Sequence, residues 1–154
     1  SANNVTFITE RLQREGHDLG RVTFDLMHDG VLPHADASVD PVVLPQVLEH
    51  MPDPAASLDE AARILAPDGS IVVSARNMNS AYGVLWRDTE SKAQIPNQGP
   101  FTPLASTDVA AWIADRFEIL EECGIGIEAT GDAAVLTGDA RHQGRLYAVR
   151  ARRV

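Results

Sequence analysis

Apolar and polar positions along the chain fall into blocks, and the blocks change period. Val5 to Ile8 is a β-branched and aromatic run that predicts a short strand, and Thr9 to Glu15 has helical composition. Gly16 and Gly20 punctuate the next stretch, after which Val22-Thr23-Phe24 predicts a second strand. Pro41-Val42-Val43-Leu44 is continuously apolar, the pattern of a strand in a parallel sheet covered on both faces. The period then becomes helical. Leu58, Ala61, Ala62 and Leu65 stand at i, i+3, i+4 and i+7 and make one apolar stripe. Asp53 is a good N-cap, and Pro54 suits the first helical position, where a missing N–H costs nothing. Pro67-Asp68-Gly69 stops that helix, and Ser70 to Ala75 predicts a buried strand. A strand–helix–strand unit of this kind implies a parallel crossover.

From Arg76 to Pro103 the pattern weakens. Tyr82 and Trp86 stand in a short helical-looking segment, and Pro96, Gly99, Pro100 and Pro103 follow. The stretch is too long for a plain connection and predicts a lid or binding loop. Ser106 is read as the cap of a second helix with Val109, Trp112 and Ile113 on one face. Phe117 to Glu122 and Gly144 to Arg150 predict two strands, and a glycine-containing loop between them suits an antiparallel hairpin. Gly124 and Gly126 read as a turn within that loop, because no helix opens after them.

Composition narrows the classes. The 154 residues, 44% hydrophobic and 23% charged, suit one globular domain over residues 1–154. The net charge of −9 argues against a general nucleic-acid binder. Arg145, Arg150, Arg152 and Arg153 alternate with apolar residues, so they read as solvated arginines on a strand. Apolar runs such as Ile71-Val72-Val73 are too short to cross a bilayer. No basic head and apolar stretch of a signal peptide opens the chain, and the single cysteine suggests a reducing compartment; cytoplasmic placement is expected.

Taken one by one, candidate polar residues have plain readings. His17, His28, His34 and His142 lack ligand-like spacing with cysteines or paired carboxylates, so no metal site is expected. Cys123 reads as a small buried apolar residue, Glu121-Glu122 as a solvated strand end, and Glu10 as a solvated helix-start glutamate. Tyr82, Trp86 and Trp112 could stack on a flat substrate or pack a core or lid.

The combined order of several pieces says more. His28-Asp29-Gly30-Val31-Leu32-Pro33 is followed by Asp36-Ala37-Ser38-Val39-Asp40. Val47-Leu48-Glu49-His50-Met51-Pro52-Asp53-Pro54 comes next, then Ala62-Arg63-Ile64-Leu65-Ala66-Pro67-Asp68-Gly69 and the strand Ser70 to Ser74. Over residues 22 to 123 this resembles the middle of a small-molecule class I S-adenosylmethionine-dependent methyltransferase. The resemblance implies an α/β fold: a Rossmann-like, mostly parallel sheet with an antiparallel C-terminal hairpin, truncated at its front. By the same resemblance Asp29 matches the acid that accepts the adenine amino group, with Gly30 beside it. Leu44, Pro45 and Gln46 match the loop that passes the cofactor's methionine end, and His50 matches a histidine that can face the reaction cavity. Departures are equally specific. Val39 replaces the usual aromatic, Asp68 replaces a turn glycine, and nothing before Asp29 matches the family's glycine-rich cofactor loop.

Two functions are expected from this. One is methyl transfer from S-adenosylmethionine to a small-molecule acceptor, with His50 near the transfer site and residues 77 to 103 shaping the acceptor pocket. The other is a non-catalytic methyltransferase-like binding or partner-subunit module. In the family the strand missing here is central, so its loss exposes an edge of Val42 to Leu44. Either Val5 to Ile8 fills the place, or a second copy or partner chain covers it; association as a homo-oligomer is the expectation.

Overall fold

The computed structural model describes residues 2–92, 101–127 and 132–154. It separates into two compact units, residues 1–34 and 35–154.

In the first unit, helix α1 (Ala2–Arg14) occupies the segment whose β-branched content predicted a strand over Val5 to Ile8. Period wins over propensity here. Val5, Thr9 and Leu12 stand at i, i+4 and i+7 and are the half-buried positions, while Phe7 and Ile8 are exposed. The Thr9 hydroxyl is satisfied inside the helix, donating to the Val5 carbonyl at 2.8 Å. The strand expected at Val22-Thr23-Phe24 is absent; these residues run as coil after a turn in which Val22 N–H donates to the Leu19 carbonyl. A lone extended segment has no ladder to join. His28 and Val31 exchange both main-chain hydrogen bonds, at 2.9 and 3.0 Å, around Asp29 and Gly30. Both central residues have positive φ, 51° and 83°, which defines a tight turn of the type I′ kind.

The second unit is built on a sheet of five strands: β1 (Val42–Pro45), β2 (Ser70–Arg76), β3 (Phe117–Ile127), β4 (Ala133–Leu136) and β5 (Leu146–Arg153). Helix α2 (Pro54–Ile64) joins β1 to β2, and α3 (Ala81–Lys92) and α4 (Ser106–Ala114) precede β3. Strand order is β1-β2-β5-β3-β4. The α/β architecture and its parallel strand–helix–strand unit are those expected. The balance of pairings is different: β1 and β2 are parallel, while β2–β5, β5–β3 and β3–β4 are antiparallel. The parallel share is small because the two N-terminal segments read as strands are helix and coil.

Local signals explain α2 well. Asp53 Oδ1 accepts the Ala56 N–H at 2.9 Å, Pro54 opens the helix, and Leu58, Ala61 and Ile64 are buried along it. The chain then turns through Asp68 at φ 61° into β2. Along β2, Ile71, Val73 and Ala75 point inward, as do Tyr147, Val149 and Ala151 of β5. They meet Val109 and Ile113 of α4, which packs across β2, β3 and β5 and against α2. Strand β1 is buried on one face only: Val42 is inside, but Val43 is 55% exposed. The two-sided cover implied by its apolar run is lacking on the Val43 face, and β1 is also the terminal strand of the described sheet.

Several readings at the C-terminal end need correction. Ala105, not Ser106, is the N-cap of α4, and the Ser106 hydroxyl bonds His142 instead. Gly124 and Gly126 lie inside β3, not in a turn. A Cβ on Gly124 would come within 2.2 Å of the Arg141 carbonyl oxygen, so glycine there admits the 3-10 segment Gly138–Gln143 against the strand. Cys123 is half-buried on β3. Glu122 is half-buried and accepts the Tyr147 hydroxyl, whereas Glu121 is exposed and pairs with Arg150 at 3.3 Å. The arginines read as solvated do stand outward at Arg150 and Arg152, each facing a glutamate of β3. Within the expected lid, α3 and residues 101–105 are described, and residues 93–100 lie outside the described residues.

Candidate functional site

Ligands of open parallel sheets sit outside the carboxyl ends of the strands. In the larger unit that edge is where β1 and β2 end, at Pro45 and Arg76. The chain leaves β1 through Gln46, whose φ of 51° puts a non-glycine residue in the left-handed region. Two hydrogen bonds hold it there: Gln46 N–H donates to the Ser74 carbonyl at 2.8 Å, and Arg76 Nε donates to Gln46 Oε1 at 3.2 Å. Leu44 is half-buried, while Pro45 and Gln46 are exposed.

The 3-10 turn Leu48–His50 follows directly. Leu48 and Glu49 are fully buried, and His50 is half-buried at the rim. Phe101 meets the His50 ring edge-on at 5.7 Å and the Trp86 ring at 5.1 Å. The Arg76 guanidinium stands 4.8 Å from the Trp86 ring and 6.0 Å from that of Phe101. The loop carrying Phe101 is tied down by Thr102 N–H, which donates to the Glu49 carbonyl at 2.7 Å. Glu49 Oε1 accepts the Arg76 N–H at 3.4 Å, a long bond, and its Oε2 has no partner among the described residues. A cation, an amide, an imidazole and two aromatic rings are thus gathered at one strand edge.

Beside this edge a polar network fixes the walls. Asn77 is buried; its Nδ2 donates to the carbonyls of His142 at 2.7 Å and Gly144 at 3.1 Å, and its Oδ1 accepts from Asn79 and Ser106 N–H. Ser106 Oγ and His142 Nδ1 share a hydrogen bond of 2.9 Å. His142 stacks on Tyr147 at 5.5 Å. The Tyr147 hydroxyl donates to Glu122, and Arg141 Nε lies 2.7 Å from the same carboxylate, an ion pair too bent for a hydrogen bond. Burial, and then the bond to Glu122, push the Tyr147 phenol well above the ordinary tyrosine range.

Of the residues expected at a site, Leu44, Pro45, Gln46 and His50 stand together on the β1 exit. Asp29 and Gly30 belong to the smaller unit, where both are exposed at the tip of the tight turn. The Asp29 carboxylate accepts no hydrogen bond among the described residues and is open to a donor. Glu10 is exposed on α1. Sequence reasoning did not single out Arg76, Glu49 or Phe101. Arg76 could have been found, because it ends a buried strand next to a candidate loop; Phe101 could not, since its approach is made by tertiary packing. Among the described residues no group of three histidine, cysteine or acidic side chains could hold a metal ion, and no helix is long and apolar enough to cross a membrane.

Comparison with known proteins defines the class. Residues 1–73 match the family described as Methyltransferase domain. A Mycolicibacterium smegmatis protein named a probable S-adenosylmethionine-dependent methyltransferase is 34% identical over 136 residues, covering 84% of this chain and 47% of its own length. The methyltransferase GfsG of Streptomyces halstedii is 35% identical over 74 residues, 48% of this chain and 26% of its own. Among solved structures, the PH0226 protein of Pyrococcus horikoshii superposes with a TM-score of 0.69 at 16% identity, covering all of this chain and 68% of its own. An S-adenosylmethionine-dependent methyltransferase of Thermotoga maritima gives 0.67 at 19% identity, covering 81% and 61%. At such identities the likeness is one of fold: the class I methyltransferase fold. The chain is thus similar in sequence to S-adenosylmethionine-dependent methyltransferases and has the class I methyltransferase fold. It spans about half the length of the M. smegmatis relative and about a quarter of the S. halstedii one.

Proposed function

We propose that the chain serves in methyl transfer from S-adenosylmethionine to a small-molecule acceptor, as the part of the enzyme that carries the methionine-side loop and the acceptor wall. The observation that carries this reading is the bend at Gln46. A left-handed non-glycine residue costs roughly 1–2 kcal/mol, and such strain concentrates at ligand sites. Gln46 keeps the strain at the carboxyl end of a parallel strand, with an exposed amide and with Arg76, His50, Trp86 and Phe101 around it.

The residues present fit the cofactor in part. Asp29 has a free carboxylate that suits the adenine amino group, and Gly30 keeps the approach beside it clear, since a Cβ there would touch nothing. Leu44, Pro45 and Gln46 suit the methionine end. When bound, the cofactor supplies a sulfonium methyl for in-line displacement. The chain's own contribution is to orient: Gln46 and Arg76 set the loop, and the Phe101–Trp86 pair excludes water from one side of His50, which can take a proton from an acceptor. The glycine-rich loop is not among these residues, and we assign its contacts to another part of a longer polypeptide or to a partner chain. That same feature favours the second reading, a non-catalytic methyltransferase-like module that binds a partner.

Titration calorimetry with S-adenosylmethionine and S-adenosylhomocysteine separates the two. Micromolar binding, weakened about ten-fold or more by Asp29→Ala and by Gln46→Gly, is expected from the first. A folded protein that gives no heat with either compound would establish the second.

A further inference from the structure

A cleft between the start of α3 and the β3–β4 hairpin belongs to none of these assignments. It encloses about 480 Å³, and Tyr82, Gly126, Ala134, Leu136, Gln143 and Arg145 line it. The Arg145 guanidinium lies 3.6 Å from the centre of the Tyr82 ring. What sets Arg145 apart is its lack of an acceptor. In the same unit Arg63, Arg116, Arg141, Arg150 and Arg152 face carboxylates. Arg76, Arg87 and Arg153 donate to Gln46 and to the carbonyls of Met78 and Leu65. The Arg145 guanidinium donates to nothing among the described residues, and neither does the Gln143 amide. The chain carries a net charge of −9, yet no carboxylate among the described residues pairs with Arg145.

We propose that this cleft binds a small molecule with one carboxylate and a flat apolar body. The carboxylate pairs with the planar fork of Arg145, which its stacking on Tyr82 holds in place, and Gln143 donates to it from the side. The body lies over Ala134 and Leu136. Gly126 keeps that floor open, since a Cβ there would make only ordinary contacts, with the Leu136 side chain at 3.5 and 3.8 Å and the Ala134 carbonyl oxygen at 4.0 Å. Among the described residues a single cation lines the cleft, which suits a monoanion better than a phosphate dianion. The cleft opens at the carboxyl end of β2, where Asn77 N–H donates to the Arg145 carbonyl at 2.9 Å. Binding stands on these residues alone; that the ligand is the methyl acceptor rests on the methyl-transfer reading.

The test uses the full chain without cofactor, so it is read independently of S-adenosylmethionine binding. 3-Phenylpropionate, its neutral amide 3-phenylpropionamide and phenyl phosphate are titrated while amide NMR shifts are followed. The acid is expected to move the resonances of Gly126, Ala134, Leu136 and Gln143, and to bind about ten-fold more tightly than the amide. Arg145→Gln removes that preference. Gly126→Leu, which fills the cleft and leaves Arg145 in place, abolishes binding of both. Equal binding of acid and amide, an unchanged preference in Arg145→Gln, or phenyl phosphate bound about ten-fold more tightly than the acid overturns the proposal.

Discussion

Gln46 shows how much a single residue can carry. Its backbone conformation is one that side chains disfavour, yet two neighbours from β2, the Ser74 carbonyl and the Arg76 guanidinium, hold it. Tyr147 is the complementary case, a buried residue whose ionisation is linked to folding. Its phenol is raised first by burial and then by the bond it donates to Glu122. A raised folded-state value means that the neutral form is favoured in the native protein. Its contribution is therefore complete below the unfolded value, about pH 10, and drains away as pH climbs from there toward the higher folded value. We expect unfolding free energy, from urea titrations, to fall above pH 10 with a component of up to about 1.4 kcal/mol per pH unit. Tyr147→Phe should remove that component; an unchanged slope in the variant would contradict the assignment.

At the scale of elements, the α2 unit and the C-terminal strands differ in how they are held. The α2 unit is specified locally: Asp53 caps, Pro54 starts and the apolar stripe packs. The C-terminal region depends on Asn77, one side chain that joins the end of β2 to the turn before β5 and to the start of α4. Removing it leaves buried main-chain groups unpaired, at roughly 1–3 kcal/mol for each group orphaned. Asn77→Ala is thus expected to lose about 2–4 kcal/mol in chemical denaturation, with exchange protection lost first at Ser106 and Asn79, whose N–H groups the Asn77 Oδ1 accepts. Protection that fell evenly over the sheet would mean that Asn77 is not a local clamp. Helix α1 teaches a different lesson, since its β-branched residues pointed to a strand while their spacing matched a helix.

For the molecule as a whole, the open matter is the free edge. Strand β1 pairs with β2 alone among the described residues, and Val5 to Ile8, which could have covered it, is helical. A strand that ends the described sheet and carries an exposed Val43 is a template for pairing. We propose that a second copy or another chain covers it. Light scattering should show mass rising with concentration, and Val43→Lys should shift the balance toward monomer. A strictly monomeric parent protein across the whole concentration range would dispose of this idea.

Much of the architecture was legible beforehand because it is written in local chemistry. Asp53 and Pro54, the stripe of α2, the run of β2 and the alternation of β5 each act within a few residues, so their elements follow from the chain alone. The order of these segments also carried the family. Tertiary structure decided what depends on partners distant in number. Ser106 reads as a cap but is taken by His142, and Gly124 reads as a turn but makes room for the Arg141 backbone. Phe101 and Arg76 come to one strand edge, and Arg145 is left facing a cleft, only because the sheet brings β2, β5 and α3 together. Periodicity and capping are properties of neighbours in sequence. Pairing, burial and the charge left over are properties of neighbours in space.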